Sequence, residues 1–481
     1  MRSSSRERKS KIRGFRAWVS ISLLVVFMSL PVCTSAAWYD IHWQYRKEIA
    51  IDSSKVTADL TSFPVLFYLL DPDLDDDAQF DGDDILFTAA DGTTKLSHEI
   101  EQFNGTTGRL VAWVKIPNLS SSVSTKFYIY YGNLITSNQE DAANVWDANF
   151  RGVWHLHDDF LDSTPNANNG LNSGSTDNAA KIADGQDFDG WNDYVDVGSD
   201  PSIDNVFTGG GTFSAWIYPQ GWGEVGLGRI GDKSFDASVT GGWSLQLDND
   251  IPASVRTIKF EQGFSFHEGD WEASTDAISL NTWQYVVVTY NDGDALNDPS
   301  MYVNGISQPI TETEIPAGIR QSDAFYGLRI GNRSGSTDRT FNGLIDEVRI
   351  SANERSSDWI QTEYNNQNDP ASFYIISVEE IGNYDPTIAA AIADTTVAED
   401  SPPVDNYRDL NAVFTDIEEG GALSFTVTGN SNPALVNVAI DADSALDLSF
   451  VPDQNGSATI VIRATDSGAL SVEDTFTVTV T

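Results

Sequence analysis

The sequence predicts an all-β chain, a multidomain series of antiparallel β-sandwiches, and three observations carry that expectation. Short runs rich in β-branched and aromatic residues recur throughout, separated by clusters of Gly, Asn, Asp and Ser. Helical periodicity is almost absent. The chain is 481 residues long, enough for roughly two to four domains, and its 13 Trp and 24 Phe supply apolar bulk for several cores.

Residues 1–37 read as an export signal peptide. Seven Lys and Arg precede an apolar run over 17–32, and Thr34, Ser35, Ala36 and Ala37 offer small residues for cleavage before Trp38. The apolar run contains Pro31 and falls short of the roughly 20 residues a membrane-spanning helix needs. Val32 is too large for the lipoprotein processing that would use Cys33, the only cysteine. Cleavage therefore leaves a mature chain without disulfides, which fits a bacterial envelope origin and a secreted or cell-surface location. The net charge of −43 becomes roughly −49 once the basic leader is gone. Such a surface repels nucleic acid and anionic lipid, and no second apolar run is long enough for membrane insertion of the mature chain. Screening salt, bound divalent cations and plain solvation are all open ways of carrying the excess.

Strands are expected over 63–70, 109–116, 125–131, 212–218, 283–290 and 458–463. Asn304-Gly305 sits between two such runs and tolerates the positive φ angles of a two-residue hairpin turn. One helix is expected over 357–366, with Ser357 as cap, Asp358 in the first turn, and Ile360 and Tyr364 on one face. The acid run 71–84 lacks the Gly and Glu that an EF-hand loop requires, so a solvated turn is expected there. Composition shifts place boundaries near 147 and 383; a short strand over 373–378 and a linker, Asn383-Tyr384-Asp385-Pro386, mark the second.

Three resemblances follow from particular residues. Over 38–147, Trp43, Tyr45, Arg46, Phe63-Pro64-Val65, Asp81-Gly82-Asp83-Asp84-Ile85-Leu86-Phe87, Ala112-Trp113-Val114 and Tyr130-Tyr131-Gly132-Asn133 resemble a bacterial domain of unknown function, DUF2341. Over 148–381 the segments Trp154-His155-Leu156, Phe188-Asp189-Gly190, Asp193-Tyr194-Val195, Phe213-Ser214-Ala215-Trp216-Ile217, Tyr302-Val303-Asn304-Gly305 and Gly343-Leu344-Ile345-Asp346-Glu347-Val348-Arg349-Ile350 resemble the concanavalin A-like, laminin-G (LamG) jelly roll. That resemblance implies two packed antiparallel sheets with a carbohydrate or protein ligand at one rim, often with calcium. Over 382–481, Val397-Ala398-Glu399-Asp400, Phe414-Thr415-Asp416, Glu418 and Arg463-Ala464-Thr465-Asp466 are similar to cadherin-like, Ig-like repeats of bacterial surface proteins. The last strand alternates cleanly, Phe476, Val478 and Val480 facing one way and Thr475, Thr477 and Thr479 the other.

Candidate sites follow. The cadherin-like resemblance places Glu399, Asp400, Asp416, Glu418 and Asp466 as calcium ligands at one end of the sandwich, plain solvated acids being the competing reading. The laminin-G resemblance implies a structural calcium site drawn from Asp158, Asp162, Asp187, Asp193 and Asp346. Trp222, Trp243 and Trp271, each beside Gly or Asp, are candidate ring platforms for a sugar. Glu268, Asp270 and Glu272 would share one face of a strand, as a two-carboxylate glycosidase requires. Gly269 and Trp271 stand where such enzymes carry aliphatic residues, and an acidic turn is the preferred reading. His155 and His157 alternate and could hold zinc with Asp158, a pattern that in strands is more often structural.

The expected function is a secreted or cell-surface bacterial binding protein, not an enzyme, whose laminin-G-like module recognises a glycan, polysaccharide or extracellular protein in calcium-assisted adhesion. An extracellular polysaccharide hydrolase and a purely structural surface component are the alternatives.

Overall fold

The computed structural model describes residues 37–234, 241–249, 256–420 and 422–481. The expected leader lies outside them apart from Ala37, and so does Cys33. Among the described residues no helix is long and apolar enough to cross a membrane.

The first module packs two antiparallel sheets. One orders the strands Tyr374–Ile376, Tyr45–Ile51, Thr125–Tyr131, Leu86–Ala89 and Lys95–Leu96; the other orders Leu60–Leu70, Arg109–Leu119 and His98–Asn104. Leu110, Val111, Ala112, Trp113 and Val114 are buried in succession, because this second sheet is covered on both faces: Trp113 stacks on His155 and Arg349 from beyond the module. The acid run expected as a solvated turn is instead built into the fold. Asp71 caps the short helix Pro72–Asp77 through the Asp73 amide at 3.1 Å and pairs with buried Lys47. Asp84 is buried and accepts the amides of Gln79 (2.9 Å), Gly132 (2.7 Å) and Asn133 (2.9 Å).

The second module is a sandwich of two eight-stranded sheets. One runs Thr176–Ala179, Asp184–Asp189, Asn342–Ser351, Gly211–Pro219, Gln284–Tyr290, Ser300–Val303, Ile306–Gln308, with Phe150–Trp154 also paired to Asn342–Ser351. The other runs Ile310–Glu314, Gly269–Ala273, Thr257–Gln262, Gly242–Asp248, Arg229–Ser234, Leu328–Ile330, Tyr194–Gly198, Leu171–Ser173. Trp154, Phe213, Ile217, Phe260 and Tyr290 fill the space between them. Asn304 and Gly305, at φ of 53° and 75°, close the expected hairpin with Met301 opposite Gln308.

The helix runs Ser357–Asn368 and is capped by Ser356, one residue before the expected cap, whose hydroxyl accepts the Trp359 amide at 3.2 Å. It is a wedge between the two modules. Trp359 meets Phe63 of the first module at 4.8 Å, and Tyr364 stacks on Trp216 of the second at 5.8 Å. Its buried polar side chains are paired on both sides: Asn366 exchanges hydrogen bonds with the Leu66 backbone (2.7 and 3.0 Å), and Gln367 accepts the Trp216 indole N–H at 2.6 Å. Beyond it the chain returns to the first module, where Tyr374–Ile376 and Glu380–Ile381 pair with Tyr45–Ile51. A boundary at 381 therefore assigns to the jelly roll a strand pair that belongs to the first module's sheet.

The third module faces a sheet of Thr395–Val397, Ser471–Val480, Gly456–Thr465 and Ser424–Asn430 against one of Val404–Asp409, Ala445–Phe450 and Val436–Ile440. Phe476, Val478 and Val480 all point into its core, as their alternation requires.

Candidate functional site

Trp222 leaves the end of the Gly211–Pro219 strand on a loop and is half-buried. With Asn249, Arg256, Asp276 and Ser279 it lines an open concavity of about 600 Å³ at one rim of the sandwich. Two backbone bonds hold its walls, Asn249 N–H to the Gly226 carbonyl and Ile278 N–H to the Arg256 carbonyl, both 3.1 Å. Arg256 and Asp276 pair at 3.4 Å while remaining exposed. The mix of one ring face with amide, hydroxyl and charged groups suits a polyhydroxylated ligand. Trp243 and Trp271 are fully buried, against the expectation that they are ring platforms. Trp243 packs edge-on against Phe207 at 5.3 Å; Trp271 stacks on Phe260 at 6.2 Å and donates to Asp298 at 3.0 Å. Strand alternation decides this: each faces the core while its neighbours Ser244 and Asp270 face the other way.

That other face of the second eight-stranded sheet carries a polar row in direct register: Asp196, Arg329, Asp232, Ser244, Glu261, Asp270 and Glu314. Glu261 is its hub, accepting from Arg229 (3.0 Å), Lys259 (2.8 Å), Ser244 (2.9 Å) and Gln246 (2.9 Å). The stretch expected as an acidic turn is therefore a strand, Gly269–Ala273, because Trp271 pulls one of its faces into the core. Asp270 pairs with Lys259 at 3.1 Å. Burial, with the nearby Glu261 charge, pushes its pKa up to about 6.

Among the described residues, carboxylates and imidazoles converge at metal-ligand spacing in two groups, Asp416–Glu418–Asp466 and Glu101–His155–Glu347. No three of Asp158, Asp162, Asp187, Asp193 and Asp346 do so, and each has another task or setting. Asp162 is saturated by the amides of Val153 (3.0 Å), Thr164 (2.9 Å) and Asn168 (2.8 Å) and organises its own loop. Asp193 accepts the Asp189 amide (2.9 Å) and buried Asp346 accepts the Ile182 amide (2.8 Å). Asp187 contacts Asn178 at 3.4 Å, and Asp158 stands exposed near His157.

The five acids expected at one end of the third module divide between its two ends. Asp466 lies in the turn joining Gly456–Thr465 to Ser471–Val480, whereas Glu399 and Asp400 follow Val397, which pairs with Val480 at the far end of that strand. About nine residues of strand separate the ends, roughly 30 Å. Glu399 donates its amide to the Thr481 carbonyl, and Asp400 accepts the Asp453 amide at 3.1 Å. Asp416, Glu418 and Asp466 gather instead at the linker: Asn383 donates to Asp466 at 2.9 Å and the Tyr384 amide to Glu418. Asp416 Oδ2 and Glu418 Oε2 are buried and have no hydrogen-bond partner among the described residues. Burial raises the Glu418 pKa, and Asp416 adds to that. Hard carboxylate oxygens left unpaired at a loop junction fit a calcium ion, for which Asp416, Glu418 and Asp466 would be protein ligands.

The second group spans the first two modules, and sequence reasoning missed its members Glu101 and Glu347. Glu99 and Glu101 lie on His98–Asn104, and the legible signal was their i, i+2 spacing on a strand. His155 donates from Nδ1 to Glu347 at 2.6 Å; Glu101 lies 3.6 Å from Nδ1 and Glu99 3.5 Å from Nε2. His157 faces Gln102 at 3.0 Å, so the two histidines separate to different partners and do not share Asp158 as a zinc site. Burial disfavours an imidazolium at His155, but Glu347, Glu101 and Glu99 outweigh it and raise the pKa well above the ordinary value. Burial, then the Glu347 charge, pushes Glu101 up to about 8.

Residues 188–361 match the concanavalin A-like lectin/glucanases superfamily, and residues 81–170 match a domain of unknown function, DUF2341. No curated protein matches the chain. Among solved structures it is similar to the binding domain of Paraclostridial Mosquitocidal Protein 1, at 11% identity over 68% of this chain and 91% of that one, TM-score 0.36. The binding domain of Botulinum Neurotoxin DC in complex with SialylT matches at 14% identity, 68% and 73% coverage and TM-score 0.33. The CBM40 of Ruminococcus gnavus IT-sialidase bound to alpha2,3 sialyllactose matches at 11% identity, 40% and 98% coverage and TM-score 0.28. This chain carries a DUF2341 module followed by a module of the concanavalin A-like lectin/glucanases superfamily.

Proposed function

We propose that the chain is an exported bacterial binding protein, secreted or held at the cell surface, whose jelly-roll module takes a glycan at the Trp222 concavity. The observation that carries this reading is the half-buried Trp222 ring set among Asn249, Arg256, Asp276 and Ser279 in an open rim site. A ring face covers the apolar C–H surface of a sugar while the polar groups bond its hydroxyls. The reading is non-catalytic: Asp270, central to the acidic strand, is committed to Lys259. We further read the third module as a cadherin-like spacer that binds calcium through Asp416, Glu418 and Asp466, which sets its angle to the linker.

The test is a glycan-array and polysaccharide pull-down screen of residues 38–481, with millimolar calcium and with chelator. Binding of a defined glycan is expected, weakened about tenfold, or about 1.4 kcal/mol, by Trp222→Ala, with Trp222→Phe recovering much of it. Glycan binding indifferent to Trp222→Ala would move the ligand site elsewhere, and binding of extracellular protein but no glycan would replace the glycan reading with a protein-adhesion one.

A further inference from the structure

We propose that Glu101, His155 and Glu347 bind a first-row divalent transition-metal ion, zinc or manganese, across the junction of the first two modules.

The donor set selects the class of ion. An imidazole nitrogen with carboxylate oxygens suits zinc or manganese, whereas calcium prefers six to eight oxygens and no nitrogen. One potential ligand atom from each residue lies within 4.8 Å of the others. The carboxylates are also oriented from behind, as ligating groups usually are. Trp113 donates its indole N–H to Glu101 Oε2 at 2.9 Å, and Arg349 donates to Glu347 Oε2 at 2.6 Å. Glu347 Oε1 is thereby left to His155 Nδ1 at 2.6 Å, and Glu101 Oε2 is itself the oxygen 3.6 Å from that nitrogen. Glu101 Oε1 is buried without a hydrogen-bond partner among the described residues, on a side chain only 2% exposed, while His155 Nε2 faces Glu99 at 3.5 Å.

Backbone geometry adds to this. Glu347 adopts a φ of 53°, in the left-handed region, where the pairing of Asn342–Ser351 with Gly211–Pro219 shifts register. A bulge of this kind re-aims a side chain out of the ladder, and here it aims Glu347 at His155.

Charge supplies the driving force. The carboxylates of Glu99, Glu101, Asp346, Glu347 and Glu363 are grouped around the cations of His155 and Arg349, nearly all out of water. A divalent cation offsets the mutual repulsion of these crowded carboxyl groups more completely than these two groups do. It would take the place of the proton between His155 Nδ1 and Glu347 and of any proton held on Glu101, both of which pass to solvent. A cavity of about 380 Å³ lined by Glu99, Glu101, His155, His157 and Ser163 gives the ion a way in.

The experiment uses the full mature chain, stripped by chelator and then held in millimolar calcium to occupy hard-oxygen sites. Zinc and manganese are titrated separately by calorimetry, and the manganese form is examined by pulsed electron paramagnetic resonance. One ion per chain is expected, with 14N modulation from a coordinated imidazole. Glu101→Gln, which keeps an acceptor for Trp113, should weaken binding about tenfold or more, and His155→Gln should abolish the 14N signal. Absence of a stoichiometric ion, or an ion whose affinity and 14N signal survive both substitutions, overturns the proposal. If His155→Gln does not fold, Glu101→Gln decides: an unchanged affinity there overturns it equally.

Discussion

Replacing His98 by leucine should remove an acid-sensitive destabilisation from the first module. His98 is fully buried on its strand, with its ring 5.3 Å from Phe87. Neither ring nitrogen makes a well-formed hydrogen bond among the described residues, although the Leu96 and Ile85 backbones slightly favour the proton. Burial dominates and holds the pKa down to about 4, against 6.5 for the exposed group. As pH falls, the unfolded chain takes up this proton near 6.5 and the folded chain only near 4. Between those values the unfolded state binds more protons, so stability declines as pH falls through that window. The gap is worth about 3 kcal/mol, fully expressed below pH about 4 and absent above about 7. Urea unfolding of the parent chain and His98→Leu, followed by tryptophan fluorescence across this range at constant ionic strength, isolates the effect, because the carboxylates common to both cancel in the difference. The variant should gain about 3 kcal/mol relative to the parent on going from neutral pH to about 4. Parallel stability curves, or an NMR titration of the His98 ring near 6.5, would refute the reasoning.

Calcium is expected to raise the melting temperature of the full chain in calorimetry, by about 2.7 kcal/mol at a concentration a hundredfold above Kd, and Asp416→Asn should abolish that rise. Glu261→Ala leaves buried Arg229 and partly buried Lys259 without the carboxylate they share, and a loss of about 3–5 kcal/mol is expected in denaturant unfolding. Gly152→Ala would set a methyl 2.1 Å from the Trp154 ring; the ring must move, at about 1–3 kcal/mol, read as a lower melting temperature and altered near-ultraviolet circular dichroism.

The fold was legible wherever a local pattern had one physical solution. The 125–131 run is found as Thr125–Tyr131, and Asn304-Gly305 forms its turn because asparagine and glycine both tolerate the positive φ angles it requires. The helix was legible as a helix, but its position was not. Ser357–Asn368 has a weak apolar face, and nothing local says that Thr362, Glu363, Asn366 and Gln367 are buried with partners from two modules. Site residues were least legible where burial decides their use. Glycine beside Trp243 suggested an exposed loop, yet both belong to a strand whose inward face is continuous with Phe260 and Trp271.

By itself the sequence determined the local alternatives: strand or turn, the hairpin chemistry, the inward set Phe476, Val478 and Val480, and the acidity that any partner must accept. Each depends on residues within a few positions of one another, whose steric and hydrophobic preferences act before the chain is folded. Only the tertiary structure decided which distant groups meet. It set Glu101 from one module against His155 and Glu347 from the next, and it returned Tyr374–Ile376 to a sheet begun more than 300 residues earlier. It also sent Glu399 and Asp400 to the end of the third module opposite Asp416, Glu418 and Asp466. These juxtapositions arise from strand order and sheet packing, where the energy of burial depends on neighbours that no local window of sequence contains.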